Sequence, residues 1–454
     1  MEIVKQEQMS SGSARGGLGR PLVVLGLLVV SVWAAASDKP PAEQGRTRSN
    51  RGAQELAEHA GPGPGEMFRE FTYHGAGKRG AHFPEWDPGS EVKTDWRGTN
   101  RQPRFMEIDL SGAIRAEMIV EYWGGHIGTV GQMFRVNGGQ WSPYWVPIPQ
   151  PQGTPTDPQR YFRTVLGTPP VPIPLSNLKN GTNSFRFTAG PQIAYGFDWG
   201  FFWVYDFTVR VYYDAALPHP TGEIVLPASG ARLGESPTIT IRARSGGAPI
   251  KQVDVLGYYD DFNWSGDGLF REWHCQRQYG VLKHHIGTAT AAPYVVTWDT
   301  SWVPDQTQPM KLIARITDER GVTTMTPVVE NVRLSRRTRS VKMFTSGDMP
   351  EAFGVRVGQR KSCTFNVTSD LRKAKSARIV LSTWSGQHAD EVGINQTKLA
   401  DRVGVAENYG CDAVEVPVSA LKKGINTFYM FSKTKEHAAE VNWPGPVLFV
   451  EYAR

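Results

Sequence analysis

The chain has 454 residues, with 48 Gly, 32 Pro, 11% aromatic residues and a formal net charge of +6 at pH 7. This length exceeds what one hydrophobic core serves and predicts about three domains of roughly 100–200 residues each. The composition is typical of short strands joined by turns and excludes a mainly helical protein. The basic residues are scattered except for a cluster within 333–342 at a predicted domain boundary, which argues against nucleic acid as a partner.

The N-terminal segment is typical of an exported protein. Basic residues precede an apolar run over 22–33 and three small residues ending at Ala36, which predicts a signal peptide over 1–36. The alternative is an uncleaved anchor, although the run is shorter than the roughly 20 residues of a bilayer span. Residues 37–65 are rich in Pro, Gly, Arg and Ala and predict a disordered tether. We expect a secreted or periplasmic protein with no membrane span after cleavage.

Beyond the tether, hydrophobic alternation predicts half-buried strands. In the first part of the chain they fall at 106–110, 117–122, 184–187 and 207–213. The Pro-rich stretch over 141–174 predicts a long loop. Residues 216–220 contain two prolines and predict an extended linker.

The middle of the chain has strand patterns at 237–243, 250–256, 294–298 and 310–316. Their spacing resembles an immunoglobulin-like domain, although the paired cysteines of antibody domains are missing. This resemblance places an immunoglobulin-like sandwich at 221–335. Cys275 stands alone in it, whereas Cys363 and Cys411 lie together in the following segment and either pair or remain reduced.

One sequence occurs twice. Residues 171–185 return at 414–428 with Pro, Gly, Asn and Phe at one constant offset, and Trp123 is echoed by Trp384. Two copies of one β-rich domain, at 66–215 and 340–454, therefore flank the middle domain. We call them repeat 1 and repeat 2.

The repeated turn reads Leu-Lys-Asn-Gly-Thr-Asn-Ser-Phe over 178–185. Glycine there permits positive φ, Asn183 can bond its own backbone, and Phe185 is expected to point inward. The turn resembles a segment of galactose-binding-like jelly rolls, the fold of many carbohydrate-binding modules. The resemblance implies an all-β protein of three tandem β-sandwich domains: jelly roll, immunoglobulin-like, jelly roll. It implies no ligand-binding residue, because the matching positions are structural.

A candidate calcium loop lies in the middle domain. Oxygen-bearing side chains occur at loop positions one, three, five and twelve, with Gly266 at position six, which is the spacing of an EF-hand loop; Asp267 follows at position seven. The residues are Asp261, Asn263, Ser265, Asp267 and Glu272. No helical pattern flanks the loop, so the alternative is an Asn/Asp/Gly-rich turn. A bound Ca²⁺ would stiffen the loop and would not catalyse.

Aromatic residues provide the functional signal. Trp141, Tyr144 and Trp145 lie in the Pro-rich loop, and Trp123 and His126 lie near the repeated Trp-x-Gly pattern. Aromatic rings with neighbouring polar groups suit a ligand platform for sugars. We expect non-catalytic binding of extracellular polysaccharide, mainly by repeat 1, because the corresponding stretch of repeat 2, 398–409, is short and polar.

Two alternatives remain open. Tyr73, His74, Glu85 and Asp87 could serve a polysaccharide lyase or glycoside hydrolase whose site lies between repeat 1 and the middle domain. No spacing of these residues matches a known catalytic motif. His284 and His285 are expected to begin a strand and to point to opposite faces. The other alternative is a structural or adhesion protein.

Overall fold

The structure is a computed structural model that describes residues 61–74, 90–92, 104–130, 132–140, 142–143, 159–166, 170–189 and 202–454. The predicted signal peptide, nearly all of the tether, and Trp141, Tyr144 and Trp145 lie outside these residues. The described residues contain strands and 3-10 turns and no α-helix. The all-β prediction is confirmed.

The described residues of repeat 1 form ten strands: β1 (Met67–His74), β2 (Ser90–Val92), β3 (Arg104–Ile108), β4 (Ala113–Trp123), β5 (Met133–Val136), β6 (Ser142–Pro143), β7 (Thr164–Leu166), β8 (Val171–Ile173), β9 (Gly181–Ala189) and β10 (Trp203–Tyr213). The predicted strands fall on β3, β4, β9 and β10. The segment expected to be one long loop instead carries β6, β7 and β8, of which β7 and β8 pair with β4.

The middle segment contains twelve strands: β11 (Thr221–Leu226), β12 (Arg232–Leu233), β13 (Thr238–Arg244), β14 (Ile250–Asp260), β15 (Arg271–Trp273), β16 (Arg277–Gln278), β17 (Val281–Leu282), β18 (Gly287–Ala289), β19 (Tyr294–Thr297), β20 (Met310–Asp318), β21 (Thr323–Met325) and β22 (Val329–Leu334). Repeat 2 contains ten: β23 (Arg339–Thr345), β24 (Gly354–Val355), β25 (Gln359–Val367), β26 (Ala374–Trp384), β27 (Glu391–Ile394), β28 (Thr397–Ala400), β29 (Tyr409–Glu415), β30 (Gly424–Ser432), β31 (Ala439–Val441) and β32 (Val447–Ala453). Short 3-10 turns lie at Leu175–Asn177, Leu371–Lys373, Gly386–His388 and Val418–Ala420.

The buried apolar residues form three large clusters, one in each segment of the chain. In repeat 2 the core lies between a six-stranded sheet around β26 and a four-stranded sheet in the order β25-β30-β27-β28. Alternating strand residues face such a core, which is why the period-two pattern marked them.

The sheets of repeat 1 and the middle segment are continuous. Strand β1 pairs with β10 on one side and with β21 on the other, through Met67 opposite Thr324 and Phe68 opposite Thr323. A twelve-stranded sheet therefore spans both segments. The sequence predicts an extended Pro linker over 216–220 and contains no signal that the two sheets pair. Pairing instead covers the edges that two separate sheets would leave open.

The repeated turn is built by the same hydrogen bonds in both places. The Asn183 Oδ1 accepts from the Lys179 amide at 2.9 Å, and the Asn426 Oδ1 accepts from the Lys422 amide at 2.9 Å. Both asparagine side chains are fully buried. Gly181 and Gly424, two residues before these asparagines, both have φ of +93°. The expected inward position of Phe185 and of its counterpart Phe428 is confirmed.

The three cysteines are free thiols. Cys363 lies on β25 and Cys411 on β29, in different sheets of the repeat 2 sandwich. Burial raises the pKa of Cys363 to about 12, so this thiol is protonated and inert at neutral pH.

Candidate functional site

The two equivalent tryptophans of the repeats stack on each other. Trp123 ends β4 and Trp384 ends β26, and their ring centroids are 4.7 Å apart with an interplanar angle of 18°. Trp203, which begins β10, packs edge-on against both rings. We call this contact between repeat 1 and repeat 2 the tryptophan seam. Trp123 is only 1% exposed in this seam. The prediction from the sequence that Trp123 forms an open platform for sugars is therefore wrong.

The indole N–H groups of the seam bond across the two repeats. Trp123 Nε1 donates to Glu440 Oε2 at 3.2 Å, and Trp384 Nε1 donates to Tyr205 Oη at 3.1 Å. Buried indole N–H groups need such partners. Burial raises the pKa of Glu440 well above its ordinary value, which favours the neutral form of its carboxyl.

A cleft with a volume of about 840 Å³ lies over the tryptophan seam. His126 packs edge-on against Trp123 at 5.8 Å, and His437 packs edge-on against Trp384 at 5.6 Å. The cleft is lined by the three tryptophans, both histidines and mainly polar or charged residues of repeat 2, which include Arg356, Gln359, Lys361, Glu407, Lys435, Glu436 and Glu440. We call it the seam cleft.

The charges of the cleft wall follow from burial. Burial, with a smaller effect of His437, lowers the pKa of His126 to about 4, so its imidazole is neutral at pH 7 and has one donor and one acceptor. Burial also lowers the pKa of Lys361, whose ammonium donates to the Ala352 carbonyl. The Glu407 Oε1 lies 3.9 Å from His437 Nε2. The wall therefore combines neutral hydrogen-bonding groups with cations.

Behind the seam, one carboxyl joins all three segments. Glu121 of repeat 1 accepts the backbone N–H groups of Tyr279, at 2.7 Å, and Gly280, at 3.2 Å, from the middle segment. It also accepts the Tyr409 hydroxyl of repeat 2. Burial, together with the neighbouring Asp206 carboxylate, raises the pKa of Glu121 to about 8. We call this group the Glu121 junction.

A second buried charge network lies between repeat 1 and the middle segment. Glu70 contacts Arg210, Arg277 and Arg315. Burial by itself raises the pKa of Glu70, but the three guanidinium groups lower it well below its ordinary value. The cavity beside this network has a volume of only about 280 Å³. The enzyme alternative placed its site here, but this carboxylate is held by structural ion pairs.

His74 and the buried His274 lie in different surroundings. His74 Nδ1 lies 3.5 Å from Asp206 Oδ2, whereas His274 is buried and bonds the Tyr259 carbonyl at 3.0 Å. The expectation that His284 and His285 begin a strand is wrong. Both precede β18, and His284 has φ of +58° in a turn. Tyr73 is part of the repeat 1 core, and Glu85 and Asp87 lie outside the described residues.

The predicted calcium loop keeps four of its five residues together. Asn263 Nδ2 lies 2.8 Å from both Ser265 Oγ and Asp267 Oδ1, and 3.3 Å from Glu272 Oε1. Asp261 stands apart: its Oδ1 accepts the Phe262 amide, and burial raises its pKa to about 7. In the part of the chain that the structure describes, no three His, Cys, Asp or Glu side chains form a group that could hold a metal.

Sequence reasoning did not single out most of the seam cleft. His437, Glu440, Glu407 and Lys361 are far from Trp123 along the chain, and no local motif marks them. The sequence signal that could have located this cleft is the equivalence of Trp123 and Trp384, because these residues end the two strands, β4 and β26, whose ends meet at the seam. Loops around such strand ends are frequent binding positions.

No protein-family model and no curated protein matches this chain. Among solved structures, it is similar to a β-porphyranase of glycoside hydrolase family 86 from the human gut bacterium Bacteroides plebeius, with 14% identity over 48% of this chain and 35% of that chain and a TM-score of 0.21. It is also similar to the fibronectin(III)-like modules of Clostridium thermocellum CbhA, with 16% identity over 48% of this chain and 89% of that chain and a TM-score of 0.17.

A third similarity is to carbohydrate-binding modules from the β-sandwich superfamily, with 8% identity over 52% of this chain and 97% of that chain and a TM-score of 0.15. The chain spans about a third of the length of the family 86 structures it matches. Similarity at these levels assigns no family or activity, so the function is inferred from the site. Within the described residues, no helix is both long and apolar enough to cross a membrane.

Proposed function

We propose that the protein is a secreted or periplasmic, non-catalytic binding protein for extracellular polysaccharide, and that the ligand occupies the seam cleft. The observation that carries this proposal is the cleft itself, about 840 Å³ in volume, over aromatic rings from both repeats. Ligand sites for small molecules have about 300–1,000 Å³ and combine apolar walls with a few polar groups. A segment of a glycan chain fits this size.

The chemistry of the wall suits hydroxyl groups. Neutral His126 can donate and accept, Gln359 can do both, and a protonated Glu440 carboxyl, which burial favours, can donate. A wall of this kind can bond a polyhydroxylated chain without burying an unpaired charge.

The aromatic residues Trp141, Tyr144 and Trp145 remain a proposed second contact, on residue type alone. They flank β6, which pairs with β5 of repeat 1. Trp145→Ala is expected to weaken glycan binding more than Trp384→Ala does among folded molecules, because Trp384 is 2% exposed and holds the seam.

The test is retention of the mature chain on a panel of soluble and insoluble polysaccharides. Lys361→Ala and His437→Ala, both in the cleft wall, are expected to weaken binding by about tenfold each, in line with the roughly 1.4 kcal/mol of one good polar contact. Lys422→Ala is the matched control, since Lys422 is exposed on repeat 2 and lines a different groove. Absence of binding to every glycan, or an equal loss in the control, would contradict the proposal.

Polysaccharide cleavage in the same cleft is the second candidate. The observation in its favour is that two carboxyl groups line the cleft, Glu407 and Glu440, and that burial raises the pKa of Glu440 well above its ordinary value. A protonated acid and a second carboxylate are the groups that glycoside hydrolysis uses. Release of reducing ends by the wild type and its loss in Glu440→Gln, with binding retained, would favour the enzyme. Binding without product favours the binding protein.

A further inference from the structure

Two carboxyl groups lie buried in the loop between β14 and β15. Asp267 is 1% exposed and Glu272 is 0% exposed. One oxygen of each, Asp267 Oδ2 and Glu272 Oε2, has no hydrogen-bond partner among the described residues. Burying ionised carboxylates costs several kcal/mol unless they are paired or bind a metal. The loop therefore requires a proton or a cation.

Four oxygen atoms converge on one point in this loop. Ser265 Oγ, Asp267 Oδ1 and Glu272 Oε1 surround the Asn263 side-chain nitrogen, and the Leu269 carbonyl oxygen lies 2.6 Å from the same atom. An amide nitrogen has two N–H groups and can serve two of these four acceptors. Asp267 Oδ1 also accepts the Leu269 amide at 2.8 Å. The backbone amides that reach Ser265 Oγ and Glu272 Oε1 are 3.4 Å and 3.5 Å away, so the backbone gives these two oxygens only long hydrogen bonds, which a cation at the centre would replace.

The nearest basic groups do not form hydrogen bonds with the two acids. The charge of Arg163 acts on Asp267, but its guanidinium makes no hydrogen bond with either carboxyl. Arg378 acts on Asp261, which stands outside the group. Burial has the largest effect on the pKa of Glu272 and raises it, and the charge of Asp267 raises it further. Two negative charges in this loop are therefore unfavourable.

The donor set indicates which cation fits. A hydroxyl, a backbone carbonyl and two carboxylates are hard oxygen ligands, which Ca²⁺ prefers, and flexible loops suit its variable geometry. Zinc and other borderline metals favour nitrogen and sulfur ligands. The residues present thus fit calcium, provided that the Asn263 amide moves from the centre of the group.

The loop also packs against both repeats. The Leu166 amide on β7 donates to the Ser265 carbonyl at 2.9 Å. A Cβ on Gly266 would lie 1.9 Å from the Thr164 carbonyl oxygen, and one on Gly268 would lie 2.6 Å from Trp443 Nε1 of repeat 2. Any ion that fixes the loop would therefore also fix the contact among the three segments.

We propose that Ser265, Asp267, Glu272 and the Leu269 carbonyl bind one Ca²⁺, and that the ion locks this loop between repeat 1 and repeat 2. This set differs from the EF-hand spacing, because Asp261 is left out and a backbone carbonyl takes part. The proposal is independent of whether the seam cleft binds a glycan.

The test uses the whole mature chain. Equilibrium dialysis is expected to find one Ca²⁺ per chain, and heat denaturation is expected to show a midpoint about 3 °C higher at a hundredfold excess over Kd than in chelator. Glu272→Gln is expected to weaken Ca²⁺ binding at least tenfold. Asp261→Asn, the matched control in the same loop, is expected to leave it unchanged.

Asn263→Asp keeps the test decisive if Glu272→Gln fails to fold. It places a third carboxylate at the centre, so its midpoint is expected to fall in chelator and to recover with Ca²⁺, with tighter binding than the wild type. No bound Ca²⁺ and equal midpoints in Ca²⁺ and chelator would overturn the proposal and leave an acid pair that shares a proton. Equal loss of binding in Asp261→Asn and Glu272→Gln would overturn the ligand set.

Discussion

Glu121→Gln should remove a pH dependence of the folding stability that the Glu121 junction causes. Glu121 is 2% exposed, and burial together with Asp206 raises its pKa from 4.5 to about 8. The folded protein therefore holds a proton that the unfolded chain releases as the pH rises above 4.5. Stability from this group is fully present below pH 4.5 and is lost as the pH rises through 8. Glutamine keeps the shape of the protonated acid and does not titrate.

The size of the effect follows from the two pKa values. One pKa unit corresponds to about 1.4 kcal/mol, so integration between pH 5 and pH 8 gives a loss of about 3 kcal/mol in the free energy of unfolding of the wild type. Other buried groups titrate in both proteins and cancel in the comparison. Glu121→Gln should therefore gain about 3 kcal/mol relative to the wild type between these two pH values.

The assay is denaturant unfolding of both proteins at pH 5 and pH 8, monitored by tryptophan fluorescence. The chain has 14 tryptophans, so the signal reports unfolding of the whole molecule, with the three seam tryptophans next to the Glu121 junction among its sources. The Glu407→Gln variant, which alters a carboxyl of the cleft wall, serves as the control and should follow the wild type. A difference between Glu121→Gln and wild type that stays constant from pH 5 to pH 8 would refute the assigned cause.

Two further predictions concern the repeats. Trp123→Ala and Trp384→Ala should each lower the free energy of unfolding by about 3–5 kcal/mol, because each removes one ring of the same stacked pair. Limited proteolysis should then cut these variants between the repeats. Chains that stay intact would contradict a stabilising role of the tryptophan seam. Asn183→Ala and Asn426→Ala should each lower the free energy of unfolding by about 2–3 kcal/mol, since each leaves buried backbone groups of the same turn unpaired. Clearly unequal losses in thermal denaturation would show that the two turns do not contribute equally to stability.

The sequence by itself determined the strand content and the chemistry of the repeated turn. Gly181 with positive φ, buried Asn183 and inward Phe185 are local requirements, met within a few residues of one another. The alternating pattern of β4 and β10 likewise marks which side chains face a core. Local physics of this kind can be predicted without knowing what packs on the other side.

Only the tertiary structure decided which residues contact each other at the ends of these strands. Trp123 resembles a surface aromatic in the sequence, yet Trp384, more than 250 residues away, covers its face. Asp261 fits the calcium spacing, but its Oδ1 accepts the Phe262 amide, whereas Ser265, Asp267 and Glu272 gather around the Asn263 side chain. Long-range packing has no short-range signature, because the partner of a side chain is fixed by sheet pairing and by the burial of apolar area, not by the residues beside it.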